Sequence, residues 1–547
     1  MATSVRQRLL PSLALMAVFP YNCGMSKDTL PPSLKAVRVH FVGAKGTGMA
    51  ALAEVFASQG AILSGSDVPD HFYTDEILRQ IGLEPFESFD ASHISADVEL
   101  VIYSAAYDPA TNPELVEARR RALPMLSYPE ALGELSRRFD ASGIAGVHGK
   151  TTTTAMTGSI LEAMKSPVTV VAGSAVSSFG NRCTYVGGDK YLVAETCEYK
   201  RHFLNFSPRR ILLTSVESDH QDYYPTYESI RDAFVEYGES LPQGGELIFC
   251  ADDPGASEVA AQVRGKRKDI SFVPYGFSAS GPYRISKFET KEGENQFCLE
   301  ASHESFKLHV PGKHLVLDAA GAIALATSIV MDERSAGQKE IAKGLESLSQ
   351  NDWALIVQAL DGFRGSKRRS EIVGTARGVL VMDDYAHHPT ALRDTIAGLK
   401  SFWPGRRIIV DFMSHTYSRT KALLDDFAAS FGQADGLILH GIYASAREKP
   451  LEGISGRSIF EKARTMNPEK VDIQTALQQG NLRGIGEISP DKLPDKFILY
   501  IESLEGAADL IFPFIRPGDL FITMGAGDNW KVGAALLEKL TREGIYV

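Results

Sequence analysis

The sequence predicts an α/β protein built from three parallel-sheet units, and three observations carry that reading. The 547 residues exceed what one hydrophobic core can serve, and at roughly 150 residues per domain they suggest three or four units. Apolar runs of strand length alternate with helical periods along most of the chain. Two strand-to-helix joints are glycine-rich, one at Gly46–Gly48 and one at Gly146–Gly149, as expected where a helix N-terminus meets a phosphate.

The first unit opens at Val37 with the strand VRVHFVG, the turn AKGTG and the helix MAALAEVFASQG, closed by a short strand ending at Gly65-Ser66-Asp67. This βαβ start and the alternation after it, as far as PEALGELSRRFD, give a unit over 37–140. A second unit, 141–360, contains the turn near Gly149, the buried-strand runs KYLVAE and RRILLTSV, and a helix beginning around Tyr227. A third, 361–547, starts after FRGSKRRSE with GVLVMDDYAHHP and alternates strands (RRIIVDF, DGLILHG, DLFITMG) with helices. The polar, Gly- and Pro-containing stretch Glu469–Asp495 reads as a surface insertion.

A composition of 44% hydrophobic and 23% charged residues is that of a globular protein and excludes disorder or collagen-like repetition. The formal charge of -11 argues against a broad nucleic-acid face, so anionic substrates are expected to rely on helix N-termini and metal ions. The five cysteines, Cys23, Cys183, Cys197, Cys250 and Cys298, lack the close pairs of zinc or dithiol sites, which favours a reducing, cytoplasmic location. Arg6 and Arg8 precede an apolar run, Leu9–Phe19, in the manner of a signal peptide. Pro11 interrupts that run, no small-x-small site follows, and the run falls short of the ~20 residues of a membrane span. Residues 1–36 are therefore expected to be an extension outside the fold, or to lie partly ahead of a true start at Met25, and no membrane partner is expected.

The strongest local motif is Gly146-Val147-His148-Gly149-Lys150-Thr151-Thr152-Thr153-Thr154. Such a turn points backbone N–H groups at phosphate oxygens, its lysine reaches the terminal phosphates, and the following hydroxyl ligates magnesium. Lys150 and Thr151 take those roles. Ile144 stands where the first glycine of the usual pattern belongs, with Gly143 adjacent, and the competing reading is a tight turn capped by threonines. Glu195 and Glu198, at the end of KYLVAE, and Asp219-His220, beyond RRILLTSV, are candidate magnesium ligands or else solvated strand ends.

Several blocks in order resemble the Mur ligases of peptidoglycan synthesis, and among them the branch that adds L-alanine to UDP-N-acetylmuramate. They are HFVGAKGTGMAALAEV, GSD at 65–67, YSAAYDPATNPE, GVHGKTTTTAM, VAETCEYKRHFLNFSP, SVESDHQDYY, FRGSKRRSE, DDYAHHPTALRDTI, HTYSRT and GDLFITMGAGD. The resemblance implies a Rossmann-like N-terminal domain, a phosphate-loop ATPase domain and a Rossmann-like C-terminal domain. It places Gly46, Thr47, Gly48 and Met49 at the UDP-sugar diphosphate, with Ser66, Asp67 and Ser104 nearby. For ATP it implies Gly146, His148, Gly149, Lys150, Thr151, Thr152, His314, Arg368 or Arg369, Asp384 and Tyr385. Magnesium would be held by Thr151, Glu195 and His220, and alanine met by His387, His415 and Arg419. Lys150, Glu195, His220, Asp384 and His387 would then serve catalysis, His387 as amine base or carboxylate anchor. The partners implied are small molecules, with the chain a monomer or homodimer.

Departures from the family pattern keep alternatives open. Leu315 and Asp318 stand where relatives carry adenine-binding asparagines, and Thr416 replaces an arginine of the amino-acid motif. No lysine occurs from Gln221 to Glu239, so no carbamylated-lysine metal site is expected. The alternatives are the sister ligase that recycles a murein tripeptide, an inactive nucleotide-binding paralogue, and a dinucleotide oxidoreductase built on VGAKGTG with Asp67.

Overall fold

The computed structural model describes residues 29–291, 293–335, 345, 348–444, 448–478 and 494–542. Three parallel or mostly parallel sheets follow one another along the chain, as the alternation of strand and helix predicts. The first comprises β1 (Arg38–Val42), β2 (Ile62–Ser66), β3 (Leu100–Tyr103) and β4 (Met125–Ser127), in the order β2-β1-β3-β4 and parallel throughout.

The central sheet contains β5 (Asp140–Ala145), β6 (Val168–Val176), β7 (Arg182–Val186), β8 (Tyr191–Glu195), β9 (Arg210–Leu213), β10 (Glu246–Cys250) and β11 (Ser271–Tyr275). Their order is β11-β10-β9-β5-β8-β6-β7, with only the β6–β7 edge antiparallel. Strand β5 lies between β8 and β9, so the chain departs in opposite directions on its two sides. That switch point is where α/β sheets open a ligand crevice. A small antiparallel sheet of β12 (Ile285–Lys291), β13 (Glu294–Leu299) and β14 (Phe306–Leu308) follows.

The last sheet, β15 (Glu371–Ala376), β16 (Val379–Asp384), β17 (Ile408–Phe412), β18 (Gly436–Leu439), β19 (Val471–Asp472), β20 (Phe497–Tyr500) and β21 (Leu520–Met524), runs β15-β16-β21-β17-β18-β20-β19. Its inner strands are apolar on both faces, and all six residues of β16 are buried, because helices cover both sides of a parallel sheet.

The helix Lys150–Ala163 carries four threonines directly after its first residue, β-branched residues that favour helix only weakly. Burial of Thr151–Leu161 overrides the propensity, and Thr154 and Thr157 bond the carbonyls of Lys150 and Thr153 at 2.8 and 2.7 Å. Against it packs the helix Lys313–Ser335. The stretch Lys313–Arg334 is long and apolar enough to cross a membrane, yet 78% of its most apolar window is buried inside the protein, so it serves as a core helix.

Two expectations are corrected. Residues 29–36 are packed against the first unit: Leu30 and Leu34 are buried, Leu30 N donates to Glu134 Oε2 at 2.6 Å, and Arg138 bonds the carbonyl of Leu30. Residues 1–28 lie outside the described residues. Within Glu469–Asp495, Val471–Asp472 pairs with β20 as the edge strand and Ile473 is fully buried, so this part belongs to the sheet; 479–493 lie outside the described residues.

A buried His440 closes β18: its Nε2 donates to Asp411 Oδ2 at 2.8 Å and its Nδ1 to Ile501 O at 2.9 Å. Burial alone would lower this imidazole, but Asp411 outweighs it and raises the pKa. A raised histidine contributes stability that is complete below its unfolded value of ~6.5 and is lost as pH rises through the folded value. His440→Gln should therefore cost more stability at about pH 6 than at about pH 9, as measured by urea unfolding of both proteins.

Candidate active site

Strand β5 delivers the chain into the turn Gly146–Gly149. Gly146 has φ 140° and Gly149 φ 80°, and a Cβ on them would lie 2.0 Å from Thr214 Oγ1 and 2.4 Å from Asp318 Oδ1, so both positions require glycine. The end of β9 fixes the turn: Val147 N donates to Ser215 O at 3.0 Å, His148 N to Ser215 Oγ at 2.9 Å, and the Thr214 hydroxyl to His148 O. The first N–H groups of the following helix are thereby left for an anion.

Lys150 folds back over this turn. Its Nζ bonds Val147 O at 3.3 Å and Gly146 O and ion-pairs with Glu198 at 3.0 Å. Burial opposes charge on both groups, yet the neighbouring carboxylates raise the Lys150 pKa, and Lys150 with His220 lowers Glu198 to about 2. The ammonium is thus retained, held on a carboxylate that a phosphate can replace.

Thr151 Oγ1 donates to Glu195 Oε2 at 2.7 Å. Opposite them is Gly173, where a Cβ would come 2.1 Å from Glu195 Oε2 and 2.9 Å from Thr151 Oγ1. A hydroxyl and a carboxylate across a glycine cradle form an all-oxygen donor set suited to Mg2+. His220, with φ 53°, meets Glu198 Oε1 at 3.3 Å. The expected metal set is therefore two adjoining pairs, Thr151–Glu195 and His220–Glu198.

A cavity of about 290 Å³ opens beside the turn, and its walls include His148, Thr152, His314, Asp318, Arg369 and Asp384. The two arginines divide here. Arg369 lines the cavity, whereas Arg368 bonds Asp383 at 2.9 Å and Gly525 O at 2.8 Å and holds the C-terminal sheet together. Tyr385 lies under both guanidinium groups, 5.2 and 4.9 Å from its ring centre, and Asp384 accepts from Ser370 N and Ala386 N, each at 2.7 Å. Leu315, in place of an asparagine, also faces the cavity. Burial pushes the Asp318 carboxyl up to about 8, against the opposing effects of Thr153 and Arg369. At neutral pH it is largely a neutral acid that, like an amide, can both donate and accept.

The residues expected at the amino acid converge on Asp219. Arg419 Nε and Nη2 donate to Asp219 Oδ1 at 3.0 and 2.8 Å, and its Nη1 approaches His415 Nδ1 at 3.3 Å. Burial would raise Asp219, but Arg419 and then His220 hold it well below the usual carboxylate range. Burial and Arg419 lower His415 to about 4, and the same two causes carry His387 well below the ordinary imidazole value. His387 Nδ1 donates to Tyr385 O at 2.8 Å, which leaves Nε2 as an acceptor.

A second cavity, of about 250 Å³, includes Gly48, Tyr128, Glu195, Cys197 and His202 in its walls. A Cβ on Gly48 would sit 2.7 Å from Tyr128 Cζ. Asp67 braces the glycine turn, accepting from Lys45 N at 2.6 Å and the Tyr107 hydroxyl at 3.0 Å. Thr47 bonds Tyr73 at 2.8 Å, and Ser104 Oγ accepts from Ala106 N at 3.3 Å. Ser66 is buried against Glu114 and Met49 is in the core, so their side chains are committed to packing. Sequence reasoning left Glu217, His388 and Tyr128 without roles. Glu217 and His388 lie inside SVESDHQDYY and DDYAHHPTALRDTI, where their position was the only signal.

A phosphate loop at a sheet switch point, with a carboxylate shared between the loop and a second cavity, is the arrangement of a nucleotide-binding α/β enzyme. The chain belongs to the Mur ligase family: residues 38–140 match the Mur ligase catalytic domain, 144–326 the middle domain and 368–527 the glutamate ligase domain. It is 44% identical over 519 residues to the UDP-N-acetylmuramate–L-alanine ligase of Treponema pallidum, covering 95% of this chain and all of that one. It is 35% identical to the enzyme of the same name from Borreliella afzelii, covering 90% and 97%. The crystal structure of UDP-N-acetylmuramate-alanine ligase from Thermotoga maritima shares the fold at TM-score 0.67 and 24% identity, covering 92% and 98%. That of a murein peptide ligase from Psychrobacter arcticus does so at 0.62 and 22%, covering 94% and 100%.

Because Asp318 is raised from 3.8 to about 8, the folded state binds a proton that the unfolded state releases, and stability falls across that interval as pH rises. Asp318→Asn removes this cost. The variant's thermal midpoint should exceed that of the parent most near pH 8 and above, with the gap closing towards about pH 4, in unfolding scans across pH.

Proposed function

We propose that the chain joins L-alanine to the lactyl carboxylate of UDP-N-acetylmuramate, with conversion of ATP to ADP and phosphate, in the cytoplasm. One observation carries this reading: Glu195, bonded to Thr151 of the phosphate loop at 2.7 Å, also lines the cavity that contains Gly48. The group that would position the γ-phosphate thus borders the place proposed for the carboxylate. The choice of L-alanine rests on the relatives named above, whose match runs the length of the chain. In this assignment 37–140 takes the UDP-sugar, 141–360 takes ATP, and 361–547 supplies the amino-acid site.

The lactyl carboxylate oxygen attacks the γ-phosphorus, the bond to ADP breaks, and an acyl phosphate forms. Lys150 leaves Glu198 for the phosphate and offsets charge in that transition state. Mg2+ held by Thr151 and Glu195 would supply further charge dispersal there. The alanine carboxylate engages Arg419 in competition with Asp219, a charge-assisted contact that Arg can make in bidentate form. In this reading His387, whose Nδ1 is committed to Tyr385 O, takes the proton from the amine through Nε2, acting as the base of its two expected roles. The amine attacks the acyl carbon, and phosphate departs with the former carboxylate oxygen.

Lys150→Ala should reduce phosphate release by at least about 100-fold while the protein retains its fold by circular dichroism; unchanged turnover would refute the site. In the parent protein, release from ATP and Mg2+ with UDP-N-acetylmuramate should depend on L-alanine. Dependence on the L-Ala-γ-D-Glu-diaminopimelate tripeptide instead would place the chain with the recycling ligases, and no release with either would remove the activity altogether.

A further inference from the structure

One group of side chains outside the Thr151–Glu195 pair converges without a part in the reaction. His148 comes from the phosphate loop, Glu217 from the segment after β9, and His388 from the residue that caps the helix Pro389–Phe402. One donor atom of each lies within 4.8 Å of the others. His148 Nε2 abuts Glu217 Oε1, His388 Nδ1 is 3.6 Å from the same oxygen, and the two rings are 5.1 Å apart. Thr390 donates its hydroxyl to Glu217 Oε2 at 2.9 Å, which turns Oε1 towards both imidazoles.

These groups are poorly satisfied by protein alone. His388 is 5% exposed, and its Nδ1 receives only a long contact, 3.4 Å, from Thr390 N. His388 Nε2 has no hydrogen-bond partner among the described residues, although buried polar atoms are normally paired, whereas His148 Nε2 meets Glu217 Oε1.

We propose that His148, Glu217 and His388 form a binding site for a divalent transition-metal ion such as Zn2+, tying the phosphate loop to the C-terminal unit. Two imidazole nitrogens and a carboxylate oxygen are a usual set for Zn2+ or Co2+, whereas Mg2+ takes oxygen donors in octahedral geometry, so this site is distinct from Thr151–Glu195. Ligation through His388 Nδ1 replaces its weak contact with Thr390 N, and the Thr390 hydroxyl serves as the outer partner that orients the carboxylate. Three protein ligands leave a fourth position open, and because His148 and Glu217 line the nucleotide cavity, that position adjoins it.

The test is titration of the full-length protein, stripped of metal, with Co2+ followed by visible absorption and with Zn2+ followed by calorimetry. The expected result is one equivalent bound with the intense visible band of tetrahedral Co2+, and affinity at least about ten-fold weaker in Glu217→Gln and in His388→Gln. His220→Gln, at the neighbouring His220–Glu198 pair, serves as the control and should leave that binding intact. Zn2+ should raise the thermal midpoint of the parent but not of His388→Gln, a readout independent of turnover. Absence of binding, or binding that persists in both Gln variants, or binding lost only in His220→Gln, would overturn the proposal.

Discussion

The turn from Gly146 to Gly149 is the constraint on which the rest of this molecule depends. It exists because two glycines take backbone angles and close approaches that a side chain forbids, and because Thr214 and Ser215 at the end of β9 tie it down. Once it is set, neighbouring residues face different partners: His148 meets Glu217, Lys150 meets Glu198, and Thr151 meets Glu195. The three carboxylates come from the ends of β8 and β9, the strands that flank β5, so their convergence follows from the sheet order.

The C-terminal sheet reaches this centre through a few buried polar contacts. Arg419 grips Asp219, and Thr390 bonds Glu217. Each joins a charge from one unit to a group from another. Such pairs add little net stability, because desolvation opposes the Coulomb gain, but breaking one by removing a partner is costly. They therefore specify an arrangement more than they strengthen it, and substrates that replace them can alter it. An incoming carboxylate competing for Arg419 or a phosphate competing for Lys150 acts on these pairs directly. The first sheet is joined differently: a continuous apolar cluster runs from Phe41 and Leu52 to Val171 and Leu192, which favours a firmer junction.

What was legible in the sequence was local. The phosphate loop, its lysine and its threonine announce themselves within nine residues, but strand-end position alone left Glu195, Glu198 and Asp219-His220 as candidate partners, and only the fold shows Thr151 bonded to Glu195. Alternating apolar runs, likewise local, gave the α/β class. Contacts across the chain were not legible: Arg419 and Asp219 are 200 residues apart, and nothing in HTYSRT says that its arginine already has a carboxylate. Arg368 and Arg369 are adjacent in sequence and opposite in role, because the backbone at Arg368 has φ 59° and turns its side chain to Asp383. Ser66 and Met49 show another limit: the motif does not reveal that their side chains are buried, Ser66 against Glu114 and Met49 in the core. The apolar N-terminus drew attention away from Leu30 and Leu34, whose burial depends on a groove that only the folded unit provides.

Activation of the lactyl carboxylate as an acyl phosphate at the phosphate loop moves one carboxylate oxygen onto the departing phosphate. It is tested most directly by preparing UDP-N-acetylmuramate with oxygen-18 in both lactyl carboxylate positions, running the reaction with ATP, Mg2+ and L-alanine, and weighing the released phosphate by mass spectrometry. Transfer of one labelled oxygen to each phosphate is the predicted result. Phosphate released without label, alongside amide formation, would contradict the account.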